Sequence, residues 1–218
     1  LIEDKDNILI GLSGGPDSMA LLFVLLEIRE HIDFNIFVAH VNHGVRGKEA
    51  LEDEKFVEEL ANRLNLPYFS KTVNMDEYAK INKMSSEEAG RELRYEFFRE
   101  VLSKIGGGKI AVAHNKNDQA ETLLMRILRG TGLDGLKGME YKKGDIIRPL
   151  LGIERKEIEN FLSKPENKID ETFMNQLKKY SGVSNNIQKA KNWFKELGIN
   201  IEKYINREMK YVEDLEER

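Results

Sequence analysis

The chain has no cysteine among its 218 residues. Disulfide bridges, thiolate-held metals and cysteine catalysis are therefore excluded, and a reducing compartment is favoured. The longest apolar run, residues 19–26, is too short to span a bilayer. Leu1 leads almost directly into a predicted strand, so no signal peptide is expected. We therefore expect a soluble, cytoplasmic protein with no membrane partner.

Positive charge does not dominate either, since 34 Lys and Arg face 38 Asp and Glu and the formal net charge is −4. The chain as a whole is no basic nucleic-acid clamp, and any contact with RNA must come from a local basic patch. Hydrophobic residues make up 40% and charged residues 33%, which predicts a globular protein with a proper core. The length fits one domain of ordinary size and a small appendage.

Short apolar runs of strand length alternate with longer amphipathic stretches of helix length. Strands are predicted at residues 7–12, 35–41, 68–73, 109–114 and 146–147, and helices at 16–28, 50–64, 85–104, 118–129 and 153–162. Ser85 and Glu88 form a capping-box pattern at the start of the third helix. This alternation predicts an α/β fold, a Rossmann-like three-layer sandwich with a mostly parallel sheet.

Three polar loops follow predicted strands, at residues 13–18, 40–46 and 114–121. In a parallel sheet, ligands bind beyond the carboxyl ends of the strands. We therefore expect these loops to converge on one edge of the sheet. The tail has a different character, with amphipathic helices predicted at 169–180 and 187–197, and we interpret Trp193 and Phe194 there as packing residues.

The first of these loops has the sequence GLSGGPDS, at residues 11–18. Glycines let backbone N–H groups approach an anion closely, and the start of the following helix adds partial positive charge. The loop lacks both the Gly-Lys-Ser/Thr of a Walker A motif and the Gly-x-Gly-x-x-Gly of a dinucleotide site. The pattern predicts a phosphate site, and its alternative interpretation is an ordinary Gly-rich turn before a helix.

This loop resembles the SGGxDS loop of the PP-loop ATP pyrophosphatases, which cut ATP between the α and β phosphates. Further segments resemble the tRNA(Ile)-lysidine synthetases of that superfamily: VNHGVR at 41–46, EAGRELRY at 88–95, AHNKNDQAET at 113–122, RGTGLDGL at 129–136 and RPLL at 148–151. The resemblance covers residues 8 to about 158. It departs from the family at Asn115, where a second His is usual, and at Asn117, where an Asp is usual. The usual segments after RPLL are not found in 163–218.

The resemblance implies an adenine nucleotide alpha hydrolase-like fold, with a PP-loop catalytic domain at 1–162 and a helical appendage at 163–218. It also implies a ligase that uses ATP and Mg²⁺. The C2 carbonyl oxygen of the wobble cytidine, in a tRNA(Ile) with a CAU anticodon, would be adenylated with release of pyrophosphate. The ε-amine of free L-lysine would then attack C2 and displace AMP. The sequence leaves open whether the chain is a monomer or a homodimer.

Candidate residues for this chemistry fall into three groups. The catalytic candidates are Asp17, Asp118, Glu121 and Arg94, with Asp17 also the candidate ligand of Mg²⁺. The nucleotide-binding candidates are Ser13, Gly14, Gly15, Pro16, Asp17, Ser18, His40 and His114. The candidates for contact with tRNA are His43, Arg46, Arg91, Arg126 and Arg129, together with Lys137.

Each group has a structural alternative. Asp17 is equally well explained as an acid in the first turn of a helix, and Asp118 with Glu121 fits a capping box. Histidines at strand ends are often structural, and the arginines fit a solvated helix face. Rival functions are tRNA thiolation, amide formation as in NAD or GMP synthetases, and nucleotide sensing. The lack of cysteine argues against thiolation, because those enzymes carry sulfur or an iron–sulfur cluster on cysteines.

Overall fold

The computed structural model describes residues 1–44, 48–130 and 137–163. Six helices and six strands lie in this part of the chain. Their order is β1 (Asn7–Gly11), α1 (Pro16–Arg29), β2 (Asn35–Asn42), α2 (Lys48–Arg63), β3 (Tyr68–Thr72), α3 (Met75–Asn82), α4 (Ser86–Lys104), β4 (Lys109–Ala111), α5 (Lys116–Leu128), β5 (Lys142–Lys143), β6 (Ile146–Ile147) and α6 (Arg155–Ser163).

The strands form one six-stranded sheet in the order β3-β2-β1-β4-β6-β5. Every neighbouring pair is parallel except β5 and β6, which are antiparallel. The predicted α/β fold with a mostly parallel sheet is therefore confirmed. Because β2, β1 and β4 are adjacent and parallel, their carboxyl ends lie along one edge of the sheet.

The described residues belong to two compact units. The first consists of Leu1–Ala113 and Tyr141–Pro149, and it contains the whole sheet. The described part of the second lies within 114–130, 137–140 and 150–163, and it contains α5 and α6. The domain boundary predicted at residue 162 stays a prediction, and the tail helices predicted at 169–180 and 187–197 lie outside the described residues.

One core cluster of the first unit lies where α4 packs on the sheet. Phe98 is 2% exposed, and a Cβ at Gly11 would lie 2.7 Å from its ring, so the end of β1 must be glycine for the helix to sit this close. Leu9 and Ile110 are fully buried in the same cluster. Full burial of one such side chain contributes about 1.5–3 kcal/mol. This packing fixes the strand from which the first polar loop departs.

Helix starts follow the capping rules. Pro16 occupies the first turn of α1 with Asp17 beside it, as predicted. Ser85 caps α4 in the predicted capping box with Glu88. No helix in the described residues is long and apolar enough to cross a membrane.

Some boundaries and elements were predicted wrongly. The helix α3 and the strand β5 were missed, and β4 ends at Ala111 rather than at residue 114. The helix α5 starts at Lys116 because Asn115, and not Asp118, is its N-cap. The side chain of Asn115 is 1% exposed and accepts hydrogen bonds from two backbone N–H groups, which places the helix start two residues earlier than predicted.

Candidate functional site

The first polar loop leaves β1 and enters α1 through a left-handed turn. Gly14 has φ of +83°, a conformation that side chains with a Cβ rarely adopt. The loop is tied to the neighbouring strand, because Leu12 N donates to the Ala39 carbonyl at 2.9 Å. Gly15 is the N-cap of α1 and Pro16 its first residue. The predicted strand–loop–helix context of residues 11–18 is therefore present.

Two serine hydroxyls form hydrogen bonds within this loop. Ser18 Oγ donates to the Gly15 carbonyl at 2.9 Å and accepts from Ser13 N at 3.2 Å. Ser13 Oγ lies 3.1 Å from Ser18 Oγ and accepts from Gly15 N at 3.3 Å. Ser18 is 5% exposed, whereas Ser13 is exposed. In this conformation the Ser18 hydroxyl hydrogen is used within the loop, while Ser13 is the serine that faces solvent.

In the described residues, the start of α1 leaves some backbone N–H groups without a protein partner, although Gly14 and Ser18 are themselves buried. No side chain caps the helix. Among the described residues of the first unit, no acceptor lies opposite the N–H groups of Gly14 and Ser18. Free N–H groups at a helix start attract anions, because the helix dipole adds to their partial charges. Asp17 is half-buried in the same first turn. The loop can therefore accept a phosphate group.

The second polar loop is joined to the first by His40. Its Nδ1 lies 2.8 Å from the Leu12 carbonyl, and because a carbonyl can only accept, Nδ1 donates. His40 is 5% exposed. His40 thus links β2 to the residue that follows β1, and the convergence predicted for all three loops stays a prediction.

Asn42 shapes the start of the second loop and was missed as a functional candidate. It is 4% exposed, donates to Glu54 Oε2 at 2.9 Å and accepts from Gly44 N at 3.0 Å. The signal was present, since Asn42 lies within the VNHGVR segment. Arg46, the predicted tRNA contact further along this loop, lies outside the described residues.

His43 and Arg94 form a pair at the mouth of the second loop. Arg94 Nη2 lies 3.3 Å from His43 Nε2. Burial of the imidazole is the largest cause lowering the pKa of His43, followed by the charges of Arg94 and His40. Arg94 lies at the surface, yet burial of its guanidinium group lowers its pKa. Arg91, one turn earlier, stacks 5.3 Å above the ring of Tyr95.

In the second unit, Asp118 belongs to a capping box. Its Oδ2 accepts from Asn115 N at 2.8 Å, and Asn115 Oδ1 accepts in turn from Asp118 N at 3.1 Å. Burial raises the pKa of Asp118, and the hydrogen bond from Asn115 and the charge of Arg155 oppose that rise. The structural alternative for Asp118 is present, with Asn115 rather than Glu121 as its partner in the box.

Glu121 lies one helical turn after Asp118 and outside the capping box. Burial is the largest cause raising the pKa of Glu121, and the negative charge of Asp118 adds to it. Among the described residues of this unit, no donor is hydrogen-bonded to the Glu121 carboxylate. Glu121 is therefore the carboxylate whose oxygens are available to a ligand.

Asn117 accepts from Arg155 N at 3.0 Å and so joins the starts of α5 and α6. An Asp is usual at this position in the family that the chain resembles, but the contact with Arg155 N needs only an acceptor oxygen, which Asn117 also supplies. His114, the first residue of the second unit, is half-buried.

The basic residues of the second unit differ in their environments. Arg126 Nη1 donates to the Gly138 carbonyl at 3.1 Å, beside Gln119, which makes two hydrogen bonds to the Met139 backbone. Arg126 thus helps to hold the segment that follows residue 136. Arg129 and Lys137 are exposed. Within the described ranges, no group of three or more His, Asp or Glu side chains could hold a metal ion.

Three comparisons with known proteins bear on this site. The tRNA(Ile)-lysidine synthase of Caldanaerobacter subterraneus subsp. tengcongensis is 51% identical over 162 residues, which is 74% of this chain and 35% of that enzyme. The tRNA(Ile)-lysidine synthase of Thermosipho africanus is 52% identical over 169 residues, 78% of this chain and 39% of that enzyme. The chain thus spans little more than a third of the length of these curated relatives.

The structure of the U34-tRNA thiolase NcsA from Methanococcus maripaludis, with its [4Fe-4S] cluster, superposes with a TM-score of 0.63. It is 19% identical and covers 97% of this chain and 74% of that chain, so it shares the fold. The sequence profile of the PP-loop domain matches residues 2–190. Because this profile matches most of the sequence, the chain belongs to the PP-loop domain family.

Proposed function

We propose that the chain carries the catalytic site of a tRNA(Ile)-lysidine synthase. The observation that carries this proposal is the 51–52% identity to curated enzymes of that name over 162 and 169 residues, about three quarters of this chain. The substrates are ATP, a tRNA(Ile) with a CAU anticodon and free L-lysine. A cytoplasmic location follows from these substrates.

ATP binds with its phosphates at the glycine loop. The geometry fits, because the N–H groups of Gly14 and Ser18 and the uncapped start of α1 supply donors and positive potential. Mg²⁺ fits as an ion held mainly by phosphate oxygens, with Asp17 as a protein ligand, because Mg²⁺ commonly uses only one or two carboxylates beside substrate phosphates. When bound, it would neutralise charge on the leaving pyrophosphate.

The first step forms a bond between the C2 oxygen of the wobble cytidine and the α-phosphorus, and it breaks the bond between the α and β phosphates. Backbone N–H groups of the loop stabilise the charge that collects on the pyrophosphate. Arg94 supplies a guanidinium fork for an anionic group, either the α-phosphate or the carboxylate of lysine.

The second step forms the bond between the lysine ε-nitrogen and C2 and releases AMP. The amine must lose a proton, and we assign its acceptance to Glu121, with Asp118 adding negative charge nearby. Burial raises the pKa of Glu121 toward the range in which a carboxylate serves as a general base. Asp118 acts mainly by fixing the start of α5 through its capping box.

Contact with tRNA is assigned to cations of each unit. Arg91 and Arg129 are exposed and suit phosphate contacts, and Arg46 is proposed from its place in the second loop. Arg126 contributes by shaping the segment after residue 136. His43 lies at the mouth of the second loop, next to Arg94.

The proposal is tested by incubating the chain with a tRNA(Ile) transcript, ATP and labelled lysine. Label should enter the RNA, with AMP and pyrophosphate released in equal amounts. A transcript with uridine at the wobble position is the matched control and should take up no label. Incorporation of ammonia in place of lysine, or pyrophosphate release without any RNA, would contradict the assignment and favour amide formation instead.

A further inference from the structure

The hydrogen bond between His43 and Arg94 fixes the protonation state of the histidine. A guanidinium can only donate, so His43 Nε2 accepts and the neutral ring carries its proton on Nδ1. Burial of the imidazole is the main cause that lowers the pKa of His43, and the charge of Arg94 lowers it further, which agrees with a neutral ring. The partner of Arg94 is thus a neutral acceptor.

The contrast with Arg99 on the same helix is informative. Arg99 makes two hydrogen bonds to the Asp145 carboxylate, at 2.8 and 3.3 Å, and this contact raises its pKa. Among the described residues of the first unit, no carboxylate forms an ion pair with Arg94, and burial lowers its pKa. Arg99 is neutralised by its partner, whereas Arg94 is oriented by a partner that leaves its charge uncompensated.

The imidazole is itself held in place. Gly90 is buried beside it, and a Cβ there would lie 3.5 Å from both Cε1 and Nδ1 of His43 and 3.1 Å from Met75 Sδ. Next to His43 in the chain, Gly44 N donates to Asn42 Oδ1. The ring therefore lies beside α4 and directly before a hydrogen-bonded turn, which restricts where Nε2 can lie relative to Arg94.

We propose that His43 is a positioning residue that aims the Arg94 guanidinium at an anionic group of a substrate. This inference rests on the proposed function for the identity of the substrate, and it replaces direct RNA contact as the main role of His43. A neutral acceptor orients the guanidinium without neutralising its positive charge. Arg94 can therefore still attract a phosphate or carboxylate group of a substrate.

The kinetic test compares His43→Gln with His43→Leu in the lysine-incorporation assay on the whole chain. The glutamine amide reaches about as far as Nε2 and keeps an acceptor there, so its kcat/KM should stay within about threefold of the unsubstituted chain. In His43→Leu, kcat/KM should fall about tenfold or more, because the Arg94 guanidinium is no longer held in the orientation that the reaction needs. A raised KM for ATP would identify the anion as a phosphate, and a raised KM for lysine would identify it as the lysine carboxylate.

A double substitution separates positioning from independent action. If His43 acts through Arg94, the double variant His43→Leu with Arg94→Ala should be no slower than Arg94→Ala alone. Multiplicative losses, or equal losses in His43→Gln and His43→Leu, would overturn the proposal.

A measurement without turnover keeps this inference distinct from the proposed function. The charged and titratable groups acting on His43 are Arg94 from α4 and His40 from β2. In an NMR titration, Arg94→Ala should raise the pKa of His43, whereas the control Arg91→Ala should not. An unchanged His43 titration in Arg94→Ala refutes the pairing. Failure of the unsubstituted chain to use lysine would refute the proposed function alone, because the titration of His43 does not depend on turnover.

Discussion

Replacing Gly14 with alanine tests whether the backbone N–H groups of the glycine loop hold the phosphates of ATP. The space beside Gly14 is adequate, since a Cβ would lie 3.6 Å from Val57 Cγ2 and 3.8 Å from Phe56 Cδ1, ordinary contact distances. The obstacle is the φ of +83°, which costs an alanine about 1–2 kcal/mol. Either the loop keeps its conformation and the free energy of unfolding falls by that amount, or the loop rotates and its N–H groups turn away from the phosphate position.

The two consequences are measurable together. For a chain of this size, each kcal/mol of lost stability lowers Tm by about 2–4 °C. Loss of one N–H contact to a charged phosphate costs roughly 1.5–3 kcal/mol, which weakens ATP binding about 10- to 150-fold. Thermal unfolding and calorimetric titration with ATP report the two effects separately.

Gly106→Ala is the matched control. Gly106 has φ of +88° and nothing within 4 Å of an added Cβ, so it carries the same backbone cost, and it lies just after α4 rather than in the loop. The control should lose similar stability and keep the ATP affinity of the unsubstituted chain. If Gly14→Ala binds ATP as tightly as Gly106→Ala does, the loop amides do not hold the phosphates.

Three further predictions concern α5. Glu121→Gln should abolish lysine incorporation and raise Tm at neutral pH, because a carboxyl group with a raised pKa destabilises the fold where it is ionised. This gain in Tm should disappear as the pH falls through the raised pKa toward 4.5. An unchanged Tm at neutral pH would contradict the prediction. Asn115→Ala should cost about 1–2 kcal/mol in denaturant unfolding through loss of the cap, with Asn115→Ser largely restoring stability. Asn117→Asp should leave stability unchanged and Asn117→Ala should lose about 1 kcal/mol, since Arg155 N needs only an acceptor; a large loss in the aspartate variant would show that the amide itself matters.

Five of the six strands were predictable from apolar runs bounded by turn residues, whereas β5 consists of two exposed lysines and gives no such signal. The glycine loop was predictable because its motif lies between a strand and a helix. The helix α3 was not found, because it is short and weakly apolar; its signal was the cap at Asn74, whose side chain accepts from Glu77 N.

The start of α5 could not be fixed from the sequence, since two capping patterns overlap there. Asn115 with Asp118, and Asp118 with Glu121, both have the right spacing. Burial of Asn115 decides between them, and burial depends on tertiary packing. For the same reason the pairing of His43 with Arg94 escaped prediction, because these residues are 51 positions apart in sequence and meet only when α4 packs on the sheet.

The route of the chain through the sheet has a consequence for synthesis on the ribosome. The outer edge of β4 is covered by β6, with Ile110 opposite Ile146 and Ala111 opposite Ile147. A nascent chain that has emerged only as far as Ala113 therefore presents bare strand amides beside apolar side chains, a template for strand addition by another copy. Translation must continue for more than thirty further residues before this edge is closed, so slow elongation over residues 114–147 should increase aggregation and demand for chaperones.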